Sequence, residues 1–241
     1  MRAETRHQLK EDRFSKATLE AAGKTVDWTQ EHQGKLIVAA VALIFVAAIA
    51  FGGWYYVNTQ DEKASFDLAA AIRTFETPLR PPGSPEQPGS STFESSTERA
   101  TTARKQFQQI VDKYSETKTG KMARYFVGLT SAQLGDYAAA EGNLQEAANS
   151  SNPDLASLGK FALASVYAAE KKDSQAIDLF KQVIDKPTTV VSKTAVQLEL
   201  AGFYESIQKP DEAKRIYEQI QKESPASEAA SLAQRRAMDL K

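Results

Sequence analysis

The chain has 241 residues, with 30 Lys and Arg against 31 Asp and Glu, two histidines and no cysteine. The absence of thiols excludes disulfides and thiolate metal sites. The balanced charge gives no basic surface for a nucleic acid.

The first 35 residues form an N-terminal arm carrying seven basic and six acidic side chains. Residues 4 to 22 have helical spacing, with Leu9, Phe14, Ala17 and Ala21 as a thin apolar stripe among charges. The plain reading is a solvated juxtamembrane helix; the sharper one is a docking arm. Both histidines, His7 and His32, lie in this arm, 25 residues apart, and read as solvated side chains rather than metal ligands.

Residues 36 to 57, LIVAAVALIFVAAIAFGGWYYV, carry no ionisable side chain. As a helix these 22 residues span about 33 Å, against roughly 30 Å of bilayer hydrocarbon. Eleven of them are Leu, Ile, Val or Phe, so the run inserts unaided and offers no ion path. Trp54, Tyr55 and Tyr56 form an aromatic belt at one end; Trp28 and Lys35 mark the other interface. The preceding arm is too long for the n-region of a cleaved signal peptide. The Lys/Arg bias near the run is three (Lys16, Lys24, Lys35) against two (Lys63, Arg73), which gives a cytoplasmic N-terminus and an external C-terminal domain.

About 184 residues follow, enough for one domain with a sizeable core. Residues 58–77 resume a helix, with Phe66, Ala69, Ala70, Ile72 and Phe75 apolar. Residues 78–94 hold five of the nine prolines and form a Pro/Gly/Ser-rich flexible loop without helix or strand.

From residue 95 the pattern is helical and repeats. Ala140, Ala176 and Ala213 are each followed by a bulky residue four positions on (Leu144, Phe180, Tyr217) and an apolar one at seven (Ala147, Val183, Ile220). The spacing is 36 and 37 residues, and Ala103 with Phe107 and Ile110 is a fourth copy 37 residues earlier. The preceding helices match as well: Val127-Gly128, Leu163-Ala164 and Leu200-Ala201 pair a large residue with a small one. Small residues on facing helices permit close approach, and the bulky residue at +4 fills the groove between hairpins. One hairpin cannot bury its apolar face alone, so hairpins stack.

The segments GDYAAAEGNLQEAANSSNP and KPDEAKRIYEQIQKESP resemble the tetratricopeptide (TPR) repeat, including its closing proline. Two departures stand out. Arg124, Lys160 and Gln197 occupy the usual aromatic position of the first helix, and the period exceeds 34 residues. The expected fold is therefore all-α: one N-terminal transmembrane helix, then a TPR-like α-solenoid of about four hairpins over residues 95–225. The first hairpin is split, borrowing 61–77 as its first helix, and residues 226–241 make a capping helix. The resemblance implies a partner-binding wall along the first helices: Met122, Tyr125, Leu129, Gln133, Phe161, Ser165, Leu198, Glu205 and Ser206. Several of these side chains serve equally well as inter-repeat core.

Three fragments, Ser157-Leu-Gly-Lys160, Ser150-Ser-Asn152 and Lys118-Thr119-Gly120, imitate a penicillin-binding enzyme, but in reversed order and without a strand. No enzyme, cofactor, metal or small-molecule substrate is expected. The arm RHQLKEDRF, the anchor and the four-hairpin domain together resemble the YfgM-like family, ancillary subunits of the bacterial SecYEG translocon. That resemblance implies an inner-membrane protein with a periplasmic domain that associates with translocon subunits and periplasmic chaperones. The alternative is a structural subunit of another envelope complex without client binding.

Overall fold

The structure is a computed structural model describing residues 3–81, 83 and 92–240, with side chains of 33–35 and from 37 onward. The central residues of the Pro-rich loop and the side chain of Trp28 lie outside the described set. Among the described residues there are nine helices: α1 (Ala3–Glu76), α2 (Ser96–Tyr114), α3 (Lys118–Gln133), α4 (Tyr137–Ala148), α5 (Pro153–Ala169), α6 (Asp173–Asp185), α7 (Lys193–Ser206), α8 (Pro210–Glu223) and α9 (Glu228–Asp239). The chain divides into two units, Met1–Tyr56 and Val57–Lys241.

The first unit is helical throughout its described residues. The arm and the apolar run share one uninterrupted helix, where the sequence suggests only a partly helical arm. Among the described residues one helix is long and apolar enough to cross a membrane, and none of its apolar stretch is buried. Lys35, Trp54, Tyr55 and Tyr56 are all exposed. The Trp54 ring lies 5.8 Å from that of Phe51.

The second unit is a row of hairpins. The end of α1 pairs with α2, α3 with α4, α5 with α6, and α7 with α8; α9 closes the row. The repeated small residues are fully buried: Ala103, Ala140, Ala176, Ala201 and Ala213 are each 0 % exposed. Their bulky partners Phe107, Leu144, Phe180 and Tyr217 are at 2 % or less. Gly128 shows why size matters, because a Cβ there would stand 2.6 Å from Leu144 Cγ.

Three hairpin turns share one backbone solution. Gly135, Lys171 and Gln208 adopt φ of 78°, 60° and 59°, in the left-handed region. In each turn the next residue's N–H reaches back to the helix: Asp136 to Ser131 O, Lys172 to Tyr167 O and Lys209 to Tyr204 O, at 2.8–2.9 Å. This is the Schellman helix ending, which glycine adopts without steric cost; here two of three copies are not glycine. Helix starts are capped in the usual way: the side chains of Ser95, Thr117, Asp136, Asn152, Ser192 and Ser227 accept from N–H groups of the first turn.

At the N-terminal end, Ala64 and Ala71 of α1 are buried, and Leu68, Ile72 and Phe75 pack beside them against α2 and α3. Phe75 meets Phe107 and Phe126 edge-on at 6.3 and 6.1 Å. Phe66, apolar but on the opposite side of the helix, is 77 % exposed. Asp61 Oδ1 accepts the Thr119 N–H at 2.8 Å, tying α1 to the start of α3. The ends of the Pro-rich segment are also paired: Arg80 N–H donates to Phe93 O at 2.8 Å. Arg80 also contacts Glu94 at 3.2 Å, and the Arg99 guanidinium donates to Thr77 O.

Candidate protein-binding groove

Four of the nine first-helix residues come together. Tyr125 and Leu129 of α3 and Phe161 and Ser165 of α5 line one groove of about 320 Å³, with Ala132, Tyr137, Leu144, Ala162, Val166 and Ala169. The spacing explains the convergence: 125, 129 and 132 share one helix face, as do 161, 165 and 169. Tyr137 joins from the start of α4. Sequence periodicity does not reveal it, because a second-helix residue reaches the wall only through the turn at Gly135.

Among the described residues no charged side chain lines this groove. Its aromatic parts are held by packing. The Tyr125 ring stands edge-on to Phe126 at 5.3 Å, and Phe161 meets the buried Phe180 at 6.0 Å. Burial pushes the Tyr125 hydroxyl above its ordinary value, so it stays a neutral donor. Ser165 Oγ donates to Phe161 O at 3.3 Å and still lies exposed.

The remaining wall residues are placed elsewhere. Met122, Leu198 and Gln133 are not part of this lining. Leu198 packs partly buried against the main core. Ser206 Oγ donates to Phe203 O at 2.7 Å at the end of α7. Glu205 is engaged inside the fold: it accepts the Tyr217 hydroxyl at 2.6 Å and faces Arg236 at 3.6 Å, joining α7, α8 and α9. Burial first, then this carboxylate, raise the Tyr217 hydroxyl far above its ordinary value.

The polar residues at the usual aromatic position of the repeat make contacts across their hairpins. Arg124 pairs with Glu146, and Gln197 Nε2 donates to Glu223 at 3.4 Å. The enzyme-like fragments serve as structure: Asn152 caps α5, and Gly120 lets α3 start against the Tyr114 carbonyl.

The model of the tetratricopeptide repeat-like domain family matches residues 27–241. The chain belongs to this family. No curated protein matches it significantly in sequence. Among solved structures it is similar to a crystal structure of nearly identical TPR-like repeats from a Podosopora anserina protein of kinesin-light-chain type. That match has 15 % identity and a TM-score of 0.56, over 75 % of this chain and 85 % of the other. At that identity the likeness shows the fold. TPR-like repeats are protein-interaction scaffolds, and the family is typically non-enzymatic.

Proposed function

We propose that the protein is a single-pass scaffold of the bacterial inner membrane whose TPR-like domain binds protein segments in the groove between α3 and α5. The observation that carries this reading is the uncharged lining of Tyr125, Leu129, Tyr137 and Phe161. An extended or helical peptide with apolar anchors would bury that lining and remove it from water. The bilayer holds residues 36–57, with Lys35 and Trp28 at the cytoplasmic interface and Trp54, Tyr55 and Tyr56 at the periplasmic one. In support, the run is uncharged and its described side chains are exposed all round. Its partners are translocon subunits and periplasmic chaperones, by the YfgM-like resemblance of the whole arrangement.

Purification of the full chain in mild detergent tests this. Translocon subunits and periplasmic chaperones should come down together. Recovery of a different fixed complex without them would contradict the partner assignment. A cytoplasm-only reporter fused after Lys241 should be inactive; activity there would reverse the orientation.

A further inference from the structure

The turns of the third and fourth hairpins carry the same tyrosine and the same lysine in different company. Tyr167 and Lys172 recur 37 residues on as Tyr204 and Lys209. In the third hairpin both are satisfied from within. The Tyr167 hydroxyl donates to Glu141 at 3.0 Å. Lys172 Nζ pairs with Glu141 at 2.9 Å and Glu170 at 3.0 Å, and stands 5.1 Å from the Tyr167 ring centre. In the fourth hairpin both carboxylates give way to isoleucine: Ile177 stands where Glu141 was and Ile207 where Glu170 was. Among the described residues, Lys209 then has no ion pair and the Tyr204 hydroxyl no hydrogen-bond partner.

A crevice of about 870 Å³ opens there between α6 and α8. Asp173 and Asp178 line it from α6, Asp211 and Glu212 from α8, against two lysines, Lys181 and Lys209. Three of these acids stand in first turns, where the helix dipole favours them; Asp178 lies beyond the first turn of α6. Tyr204 lines the same crevice although it is only 7 % exposed, and its hydroxyl is not among the sealed polar atoms. Burial, then the Glu212 and Asp178 charges, hold that hydroxyl above its ordinary value, so both carboxylates lie within its electrostatic reach. Among the described residues no lysine or arginine pairs with Asp178. Glu212 meets only Arg215, one turn along its own exposed helix face, a contact that contributes little.

We propose that this crevice is a second protein-binding site and that it receives an arginine side chain of a partner polypeptide. The guanidinium supplies the cation that Lys172 supplies one hairpin earlier. Its five N–H donors form a planar fork, so one edge meets Asp178 on α6, another meets Glu212 on α8, and a third donor reaches the Tyr204 oxygen. A lysine ammonium is a single point and spans the two helices less well. Excess carboxylate selects a cation, and the division of the carboxylates between two helices selects the fork. Among the described residues no three acids converge as a metal site would require. The volume exceeds one guanidinium and admits the flanking backbone. The site lies between second helices and does not depend on the uncharged groove between α3 and α5.

The test is a titration of the full chain in detergent with N-acetyl-Ala-Arg-Ala amide, followed by NMR of labelled isoleucine methyl groups. A saturable shift is expected at Ile177, which lines the crevice, and none at Ile110 on α2. Binding should weaken several-fold between about 0.05 M and about 0.3 M salt. The citrulline peptide, which keeps the shape and loses the charge, should bind at least about fivefold more weakly, and the lysine peptide about twofold to threefold more weakly. Asp178→Asn and Glu212→Gln, both at exposed positions, should each weaken binding several-fold. Glu218→Gln, exposed on α8 outside the crevice, should leave it unchanged. Tyr204→Phe should weaken binding about twofold at an unchanged Tm, because its hydroxyl makes no internal bond. The assignment would be overturned by absence of the Ile177 shift, by equal binding of the citrulline or lysine peptide, or by undiminished binding in Asp178→Asn and Glu212→Gln. Calcium ions producing the same saturable shift more tightly than the arginine peptide would also overturn it.

Discussion

Adding one methyl group at Gly159 should destabilise the hairpin domain, although the same change at Gly142 should stabilise it. Both glycines lie inside helices, where alanine is favoured over glycine by about 1 kcal/mol. At Gly142 a Cβ meets nothing within 4 Å, so this gain is realised in full. At Gly159 the Cβ would press on the Ala148 nitrogen and stand 2.6 Å from the Ala147 carbonyl carbon. These are backbone atoms of α4, which cannot rotate aside. The overlap of about 1 Å forces α4 and α5 apart, at the upper end of the roughly 1–3 kcal/mol typical of overpacking. Net of the propensity gain, Gly159→Ala should lose about 1–2 kcal/mol. For a domain of this size that is a fall in Tm of about 2–8 °C, and Gly142→Ala should raise it by about 2–4 °C. Thermal unfolding of the full chain in detergent, followed by circular dichroism, reads both. If Gly159→Ala raised the Tm as Gly142→Ala does, the close α4–α5 approach would be wrong.

Lys171→Gly and Gln208→Gly should each stabilise by roughly 0.5–1 kcal/mol, since glycine adopts the left-handed turn without strain; unchanged or lower denaturation midpoints would argue against that geometry. Tyr217→Phe should cost about 1–2 kcal/mol by removing the 2.6 Å bond to Glu205, with urea midpoints as the readout. Because the folded-state Tyr217 hydroxyl titrates above its unfolded value of about 10, its contribution is complete below pH 10 and is lost as pH rises further. Glu141 behaves oppositely. Hydrogen bonds from Lys172 and Tyr167 lower its carboxyl, so the stability it lends is present above the ordinary carboxylate range and lost as pH falls through the folded value. Glu141→Gln should therefore narrow the stability difference between pH 7 and pH 3, by less than about 1 kcal/mol for so exposed a group.

The residues that make the fold legible are those whose demands are local. Ala140 with Leu144 and Ala213 with Tyr217 show a small-then-bulky spacing wherever hairpins stack, and the structure buries all four. Pro153 and Pro210 stand at helix starts for the same local reason. Contacts set by the path of the chain are not legible. Asp61 and Thr119 are 58 residues apart, and nothing in either neighbourhood announces their bond. Gly159 reads in the sequence as part of an enzyme-like fragment, because its role depends on how near α4 comes. The wall shows a similar split. Tyr125, Leu129, Phe161 and Ser165 are expected at the wall from the resemblance to the TPR repeat, and the structure lines one groove with them. Tyr137 enters through a turn, and Glu205, expected to face a partner, is held by Tyr217 instead.

Photo-crosslinking in intact cells tests the central claim most directly. A benzophenone side chain at Ser165, which is exposed at the groove, should form adducts with translocon subunits and periplasmic chaperones. The same group at exposed Glu218 on α8 should not. Equal adducts from both positions, or none from Ser165 in the correctly inserted protein, would contradict a peptide-binding groove held at the membrane.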